Sequence, residues 1–530
     1  MKKYQLTYLL VLFSLVSQAQ LTNIPMNQSF RDFFAVPLAN QAHSAIQPYN
    51  PFETRELVDS IQRSFDIDNT FTKTWLGRKL FNEHMANVQH EDYQFIFNPV
   101  FDLRLGREND NENLLFRNTR GVQVGARVGQ KFLIYTDVNE NFHFFPQYIR
   151  NHISNNDDVV PGQGESKPFT SAGKDDFAFV NGHFDYQASK FLNFRFGHGK
   201  NFIGDGYRSL LLSDNAFNYP FLRMTTSFWK IKYVNLFTQM KDRNIILPDR
   251  TFARKYVSSH YLSAQVTKRL TLGLYETVVY QDSTGTRGYD INYLNPFILY
   301  RPLEFAIGSG GGNVLIGGLM KYQIADHFFI YGQGILDEFK VDEFFSGQGW
   351  WALKYGLQGG FKSYNTFTPG LTLQSEINLV RPYTYSHNTS PQNYGHYNES
   401  LAHPLGANFA ESVTIIRYLK NRYFFEGRFI YAIQGKDTEG SNWGSNVYLG
   451  NSTREQDNDN RFFQGNRTTL FFTNITLGYL VNPSNNWRLE LSYTYRSITP
   501  EIETTTLSAD KTHFFQIGMV TRINNHYYDF

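Results

Sequence analysis

From about Asp92 onward, apolar residues recur at every second position. In one run Arg488, Glu490 and Ser492 alternate with Leu489, Leu491 and Tyr493; in another, Thr271, Gly273 and Tyr275 alternate with Leu272, Leu274 and Glu276. A period of two marks a strand whose two faces meet different surroundings. The links between the runs constrain the fold more sharply. Short links at 129–130, 188–189, 229–230, 268–269, 324–325, 362–367, 420–422 and 482–484 alternate with long ones at 106–119, 141–176, 199–221, 241–256, 281–312, 336–349, 381–409, 434–468 and 497–511. Short turns at one end and long loops at the other are the plan of an outer-membrane barrel. A soluble sandwich has no reason to keep that rhythm.

The pattern predicts an all-β fold, a transmembrane antiparallel outer-membrane β-barrel of about 18 strands. The expected spans are 93–105, 120–128, 131–140, 177–187, 190–198, 222–228, 231–240, 257–267, 270–280, 313–323, 326–335, 350–361, 368–380, 410–419, 423–433, 469–481, 485–496 and 512–523. The 222–240 hairpin has the weakest pattern. A barrel of this size encloses a lumen.

Composition fits. Aromatic residues make up 17% of the chain, and such barrels use aromatics both as lipid-facing bulk and as girdles at the two interfaces. The mean hydropathy of −0.42 would by itself suit a soluble protein; the aromatic share argues otherwise. Past the N-terminus no run reaches ~18 consecutive apolar residues, the length a membrane helix needs. With no cysteine, no disulfide staples the fold. A net charge of +2 gives no basic footprint for nucleic acid.

The N-terminus reads as a secretory signal over 1–19: basic Lys2 and Lys3, an apolar run from Leu6 to Val16, and Ser17-Gln18-Ala19 as the cleavage site. Residues 20–90 read as a periplasmic linker and a short helical plug or cap. One helix is expected over 53–64, with Leu57, Val58 and Ile61 on one face, and a second around Trp75, Leu76, Leu80 and Phe81. Residues 91–530 form the barrel. The closing His526-Tyr527-Tyr528-Asp529-Phe530 is expected to finish the last strand with an aromatic. Strand parity then puts both termini in the periplasm and the long loops at the cell surface. Trp350, Trp351 and Tyr355 are expected in an interfacial girdle.

The densest polar cluster follows the strand at 190–198. Among its glycines, His198, Lys200, Asp205 and Arg208 are candidates to meet an anionic or sugar ligand; the bland alternative is a loop held inward by its own ion pairs. His198, Asp205 and Ser209 are also the residue types of a hydrolase triad, but no nucleophile elbow accompanies them, so no catalytic role is assigned. Phe297, Tyr300 and Arg301, in Asn295-Pro296-Phe297-Ile298-Leu299-Tyr300-Arg301-Pro302, are candidates for a constriction or a sugar-stacking platform. The oxygen-rich segments 108–112 and 457–460 lack the full calcium-loop pattern and read as solvated loops. No cofactor and no metal is expected.

The run from Phe196 to Phe221, with its core Gly197-His198-Gly199-Lys200-Asn201-Phe202-Ile203-Gly204-Asp205-Gly206-Tyr207-Arg208-Ser209, resembles the RemB-type gliding-motility proteins of Bacteroidota, a group related to the Wzi-type capsule-assembly barrels. Val160-Pro161-Gly162-Gln163-Gly164, and Asn295-Pro296 with Arg301-Pro302 and Glu304-Phe305, are similar to that group as well. The resemblance implies a non-enzymatic barrel at the cell surface, involved in gliding motility or cell-surface organisation. The alternative it carries is a lectin-like protein that binds capsule or exopolysaccharide. The implied partners are outer-membrane lipid, surface polysaccharide and other gliding or envelope proteins. A helical N-terminus and aromatic loops argue against an open porin.

Overall fold

The computed structural model describes residues 24–31, 40–54, 73–109, 111–168, 173–281, 288–297, 299–302 and 312–530. The expected signal and most of the helix expected over 53–64 lie outside the described residues.

An 18-strand antiparallel sheet closes on itself. Its strands are β1 (Tyr93–Glu108), β2 (Leu115–Val128), β3 (Phe132–Phe144), β4 (Asp175–Gln187), β5 (Leu192–Gly199), β6 (Tyr219–Phe228), β7 (Ile231–Ile246), β8 (Phe252–Gln265) and β9 (Leu270–Gln281). They continue as β10 (Asn313–Ala325), β11 (Phe328–Glu338), β12 (Lys354–Tyr364), β13 (Leu371–Val380), β14 (Phe409–Lys420), β15 (Tyr423–Lys436), β16 (Asn466–Asn482), β17 (Trp487–Pro500) and β18 (Asp510–Thr521). Each pairs with the next, and β18 pairs with β1 from Phe514↔Glu108 to Val520↔Asp102. Closure is what the bilayer demands, because an unpaired backbone group in hydrocarbon costs several kcal/mol. Below Asp102 the seam is filled by the short strand Ala86–Gln89, which pairs with Gln94–Phe97 of β1.

Every expected strand is present, including the weakly patterned hairpin, where Phe228 faces Ile231 across the turn. Several strands run further toward the long-loop end than alternation suggests. β7 continues through Lys241, Asp242 and Arg243, since inter-strand hydrogen bonding does not require apolar side chains.

Burial is inverted relative to a soluble protein. Along β17, Leu489 and Leu491 are 49% and 50% exposed on the outside, while Arg488 and Glu490 between them are 3% and 4% exposed. Exposed Trp229, Phe228, Phe367 and Tyr423 ring the short-turn end, as an aromatic girdle does. Trp351 is not part of such a girdle: the guanidinium of Arg454 lies 4.4 Å from its ring and Tyr383 meets it edge-on, because loop 434–468 folds over it. No described helix is long and apolar enough to cross a membrane.

The lumen is filled differently on its two sides. Against β7 to β13 it holds an apolar core, in which Leu210, Leu211 and Leu212 from loop 199–221 meet inward Leu236, Leu315 and Ile335, along with Tyr385 and Leu401 from loop 381–409. The N-terminal segment enters here, with Ile46 and Gln47 pairing to Ile203 and Phe202. Helix α1 (Trp75–Phe81) starts at Thr74, whose side chain accepts from the Gly77 amide. It sits on the short-turn end, where Arg422 donates to the Phe81 carbonyl (2.8 Å) and Asn482 to that of Lys79 (3.0 Å). The described N-terminal residues thus both enter the lumen and cover one rim.

The end of the chain departs from expectation. β18 stops at Thr521, opposite Trp487, the first residue of β17. After a last backbone bond from the Arg522 amide to the Asn486 carbonyl (3.3 Å), residues 522–530 leave the sheet and turn back into the lumen, where side chains of the wall hold them. Arg522 binds Glu490 near the short-turn end, and the Phe530 carbonyl accepts from Arg496. Those two positions on β17 lie roughly 20 Å apart along the strand. Phe530 is therefore a lumen residue near the long-loop end. It does not finish a strand, and the chain does not end beyond the short turns.

Candidate functional site

The cluster after β5 faces many partners and does not converge on one point. His198 sits at the end of β5, its Nδ1 3.1 Å from the Val180 carbonyl. Lys200 donates to the Asp214 carbonyl at 3.0 Å. Asp205 accepts from Ser44 at 2.6 Å. Ser209 donates to the Ile203 carbonyl at 2.6 Å and accepts from the Leu211 and Leu212 amides. Ser209 closes a turn, and His198, Asp205 and Ser209 each bond to other partners. A loop folded into a lumen has to satisfy its backbone and charges internally, and these side chains do that.

Arg208 lies at the centre of a buried ion cage. It reaches Glu411 at 2.9 Å and Asp529 at 3.0 Å; Arg428 reaches the other oxygen of Asp529, also at 3.0 Å. The Tyr207 hydroxyl donates to Asp529, and His403 lies 2.7 Å from Glu411. Burial pushes the Asp529 carboxyl up, but Arg208 and Arg428 outweigh it and hold the group below its ordinary range.

Phe297, Tyr300 and Arg301 lie elsewhere, on the outer wall. In β8 and β9 the even-numbered residues face outward, as exposed Leu262, Leu272 and Leu274 show. His260 and Glu276 share that face. Tyr300 covers them, its hydroxyl 2.9 Å from His260 and its amide donating to Glu276 at 2.8 Å; the Arg301 amide donates to Glu276 at 3.2 Å. Tyr300 is fully buried, while Phe297 is 88% exposed and turned away from the wall. The segment forms a strap over polar outward residues and does not constrict the lumen.

A large concavity opens at the long-loop end, with a volume of about 500 Å³. One wall is helix α2 (Gln147–Asn155), which the sequence reading did not identify. Pro146 precedes it, both oxygens of Glu108 accept from its first amide (3.0 and 3.1 Å), and Tyr148, Ile149 and Ile153 form its buried side. A carboxylate at a helix N-terminus is stabilising, and the apolar spacing was visible in the sequence. The basin is lined by side-chain amides, among them Asn151, Asn155, Asn215 and Asn446, by the rings of Tyr148, Tyr448 and Phe530, and by charges of both signs, Lys436 and Arg496 with Glu399, Asp437 and Asp510. His152, at its edge, lies against Phe530 with ring centres 4.1 Å apart and planes tilted by 36°. Burial, then Lys436 and Arg496, hold the His152 imidazole down to about 4. Side-chain amides donate and accept at once, and rings offer flat apolar faces, a combination that suits a hydroxyl-rich ligand.

This architecture occurs in a known protein. Wzi of Escherichia coli, described as an outer-membrane protein involved in group 1 capsule assembly and a carbohydrate-binding β-barrel, superposes with a TM-score of 0.56 over 94% of this chain and 99% of its own, at 12% identity. OprD and OpdK of Pseudomonas aeruginosa match with TM-scores of 0.41 and 0.44, at 8% and 9% identity, over 82% and 81% of this chain and 96% and 98% of theirs. No protein-family model and no curated protein matches the sequence. The chain is an outer-membrane-type β-barrel that shares its fold with Wzi.

Proposed function

We propose that this barrel is a non-enzymatic glycan-holding protein of the cell surface. It sits in the outer membrane with its short turns toward the periplasm and its long loops outward, and it holds surface polysaccharide in the mouth basin. The observation that carries this reading is the basin itself, about 500 Å³ lined by amides and aromatic rings. The fold shared with a carbohydrate-binding barrel of capsule assembly supports it. Of the residues singled out in the sequence, Lys200 and Arg208 serve the site indirectly. Lys200 holds the carbonyl of Asp214, next to basin residue Asn215, and Arg208 anchors the tail that brings Phe530 to the floor. Purified barrel should bind polysaccharide from its host saturably, and Tyr448→Ala with Asn446→Ala should abolish binding. Unchanged binding by a correctly folded double variant removes the basin from consideration.

Gliding motility is a second reading, supported by the RemB-type run of residues 196–221. In it the held polysaccharide serves surface contact during movement. A deletion strain that sheds polysaccharide and spreads normally would leave the glycan role and remove the motility role.

A further inference from the structure

The lumen contains a second, different space. Between the tail and the wall made by β14 to β18, β1 and β2 lies a cavity of about 110 Å³. Its wall is polar at mid-barrel, with Asn474, Thr476, Ser492, Thr494 and Gln516 lining it. Its charges are unequal: Arg104, Arg117, Arg417, Arg428, Arg488 and Arg522 against Glu426, Glu490 and Asp529. The Nε of Arg428 has no hydrogen-bond partner among the described residues. The opposite half of the lumen is sealed by the apolar core under loops 199–221 and 381–409. Asp102, just outside the cavity, pairs with Arg104 and Arg117, and arginine still outnumbers carboxylate on this wall, a composition that anion pores use.

Among the described residues, the tail together with the helical turn at Gln28–Arg31 fills the middle of this side, between helix α2 above and helix α1 on the short-turn rim, and the tail holds that turn. The amide of Gln28 donates to Asn525 (3.0 Å), Asn525 donates to the Met26 carbonyl (3.1 Å), and Asn27 donates to the Asn524 carbonyl (3.1 Å). Further up, Tyr527 binds Asp214 at 2.7 Å and Asp529 sits in the ion cage. All 18 strands are complete before the tail begins. The wall is thus complete without the tail, which side chains and not strand pairing hold in place, Arg428 on Asp529 and Arg496 on the Phe530 carbonyl; its departure would leave the N-terminal turn held by Gln28 on the Tyr207 carbonyl and remove a carboxylate from the path.

We propose that residues 524–530 are a removable stopper over a latent conduction path selective for small anions. This function lies beyond glycan holding and does not depend on it.

The test is conductance in planar bilayers under a KCl gradient, comparing the full-length protein with a chain ending at Ile523. A heat-dependent mobility shift in detergent gels confirms that each barrel is folded. The full-length protein should be closed. The shortened barrel should conduct, with a reversal potential favouring chloride, and Arg104→Glu with Arg117→Glu in that background should move the preference toward potassium. Should the shortened chain not fold, full-length protein with Asn525→Ala and Asp529→Ala should show intermittent openings of the same selectivity. A folded shortened barrel that stays closed, a full-length protein that conducts equally, or cation selectivity in the shortened barrel would each overturn the proposal. So would a closed double variant where the shortened chain does not fold.

Discussion

Arg208 and Asp529, 321 residues apart in the chain, meet at 3.0 Å inside the lumen. The pair joins a loop that enters from the long-loop end to a tail that enters from the short-turn end, and both residues are almost fully buried. Stripping one partner from a buried pair costs about 3–5 kcal/mol when the other charge is left uncompensated; here Glu411 still faces Arg208 and Glu426 still faces Arg428, so that figure is an upper bound. Replacing Asp529 by Ala should lower the stability of the barrel by up to that amount in urea-induced unfolding. Arg208→Met in the same background should recover part of the loss. A single variant as stable as the parent would show that the pair does not hold the tail.

Acid should loosen the tail in two stages. The His152 imidazole is held well below its ordinary 6.5, at about 4, so its contribution is present above 6.5 and lost as pH falls toward 4. The Asp529 carboxyl is held below its ordinary 3.8, so its contribution is present above 3.8 and lost as pH falls further. Protection of the amides of 524–530, taken as hydrogen exchange relative to the intrinsic rate at each pH, should be steady from pH 8 to 7, fall below 6.5 and be lost below 3.8. His526, in the tail itself, is also held well below its ordinary value by burial, so His152→Gln should shrink the first stage, His152→Gln with His526→Gln should remove it, and both should leave the second.

The basin makes a graded prediction. A central aromatic contact is typically worth more than 1 kcal/mol on truncation, so Tyr448→Ala should weaken polysaccharide binding about tenfold. Phe297→Ala, at an exposed strap position on the outer wall, should leave binding unchanged. Equal losses in both variants would move the ligand away from the basin.

The strap predicts a defect of stability and not of binding. Tyr300→Ala opens a cavity over outward-facing His260 and Glu276, at a cost of about 3 kcal/mol. Thermal unfolding in detergent should drop accordingly, with glycan affinity of the folded fraction intact. An unchanged melting temperature would mean that the strap does not shield those groups.

A fifth change probes a turn. Gly370 has φ +86°, and a Cβ there would lie 1.9 Å from the Leu419 carbonyl oxygen. Gly370→Ala should therefore slow or prevent closure of the β12–β13 hairpin onto β14, read as loss of the heat-modifiable band.

The wall of this protein was legible in its sequence because each strand carries its own signal: Leu489 and Leu491 meet lipid, Arg488 and Glu490 do not. The contents of the lumen were not. Nothing local tells that Leu210 to Leu212 pack inward or that Tyr300 lies on an outer face, since both depend on which strands the loop reaches. The placement of 522–530 depends on partners far away in the chain, Arg208 for Asp529 and Arg496 for the Phe530 carbonyl, that no local pattern reveals. His198, Lys200, Asp205 and Arg208 stood out because they are polar and dense among glycines, yet that density reflects what a buried loop needs. The basin residues were missed because its asparagines come from separate loops, and only helix α2 had a signal of its own.

The first and last described stretches of the chain are hydrogen-bonded to each other within the barrel, Asn27 to Asn524 across 497 residues. This imposes an order in time. Strands added one after another from β1 could zip outward as they are delivered, but the seam between β18 and β1 encloses the material that fills the interior. Either the beginning of the chain waits inside an open sheet until the final residues arrive, or those residues thread into a wall already shut. The rate at which such a barrel matures should therefore be governed by its stuffing and not by its staves.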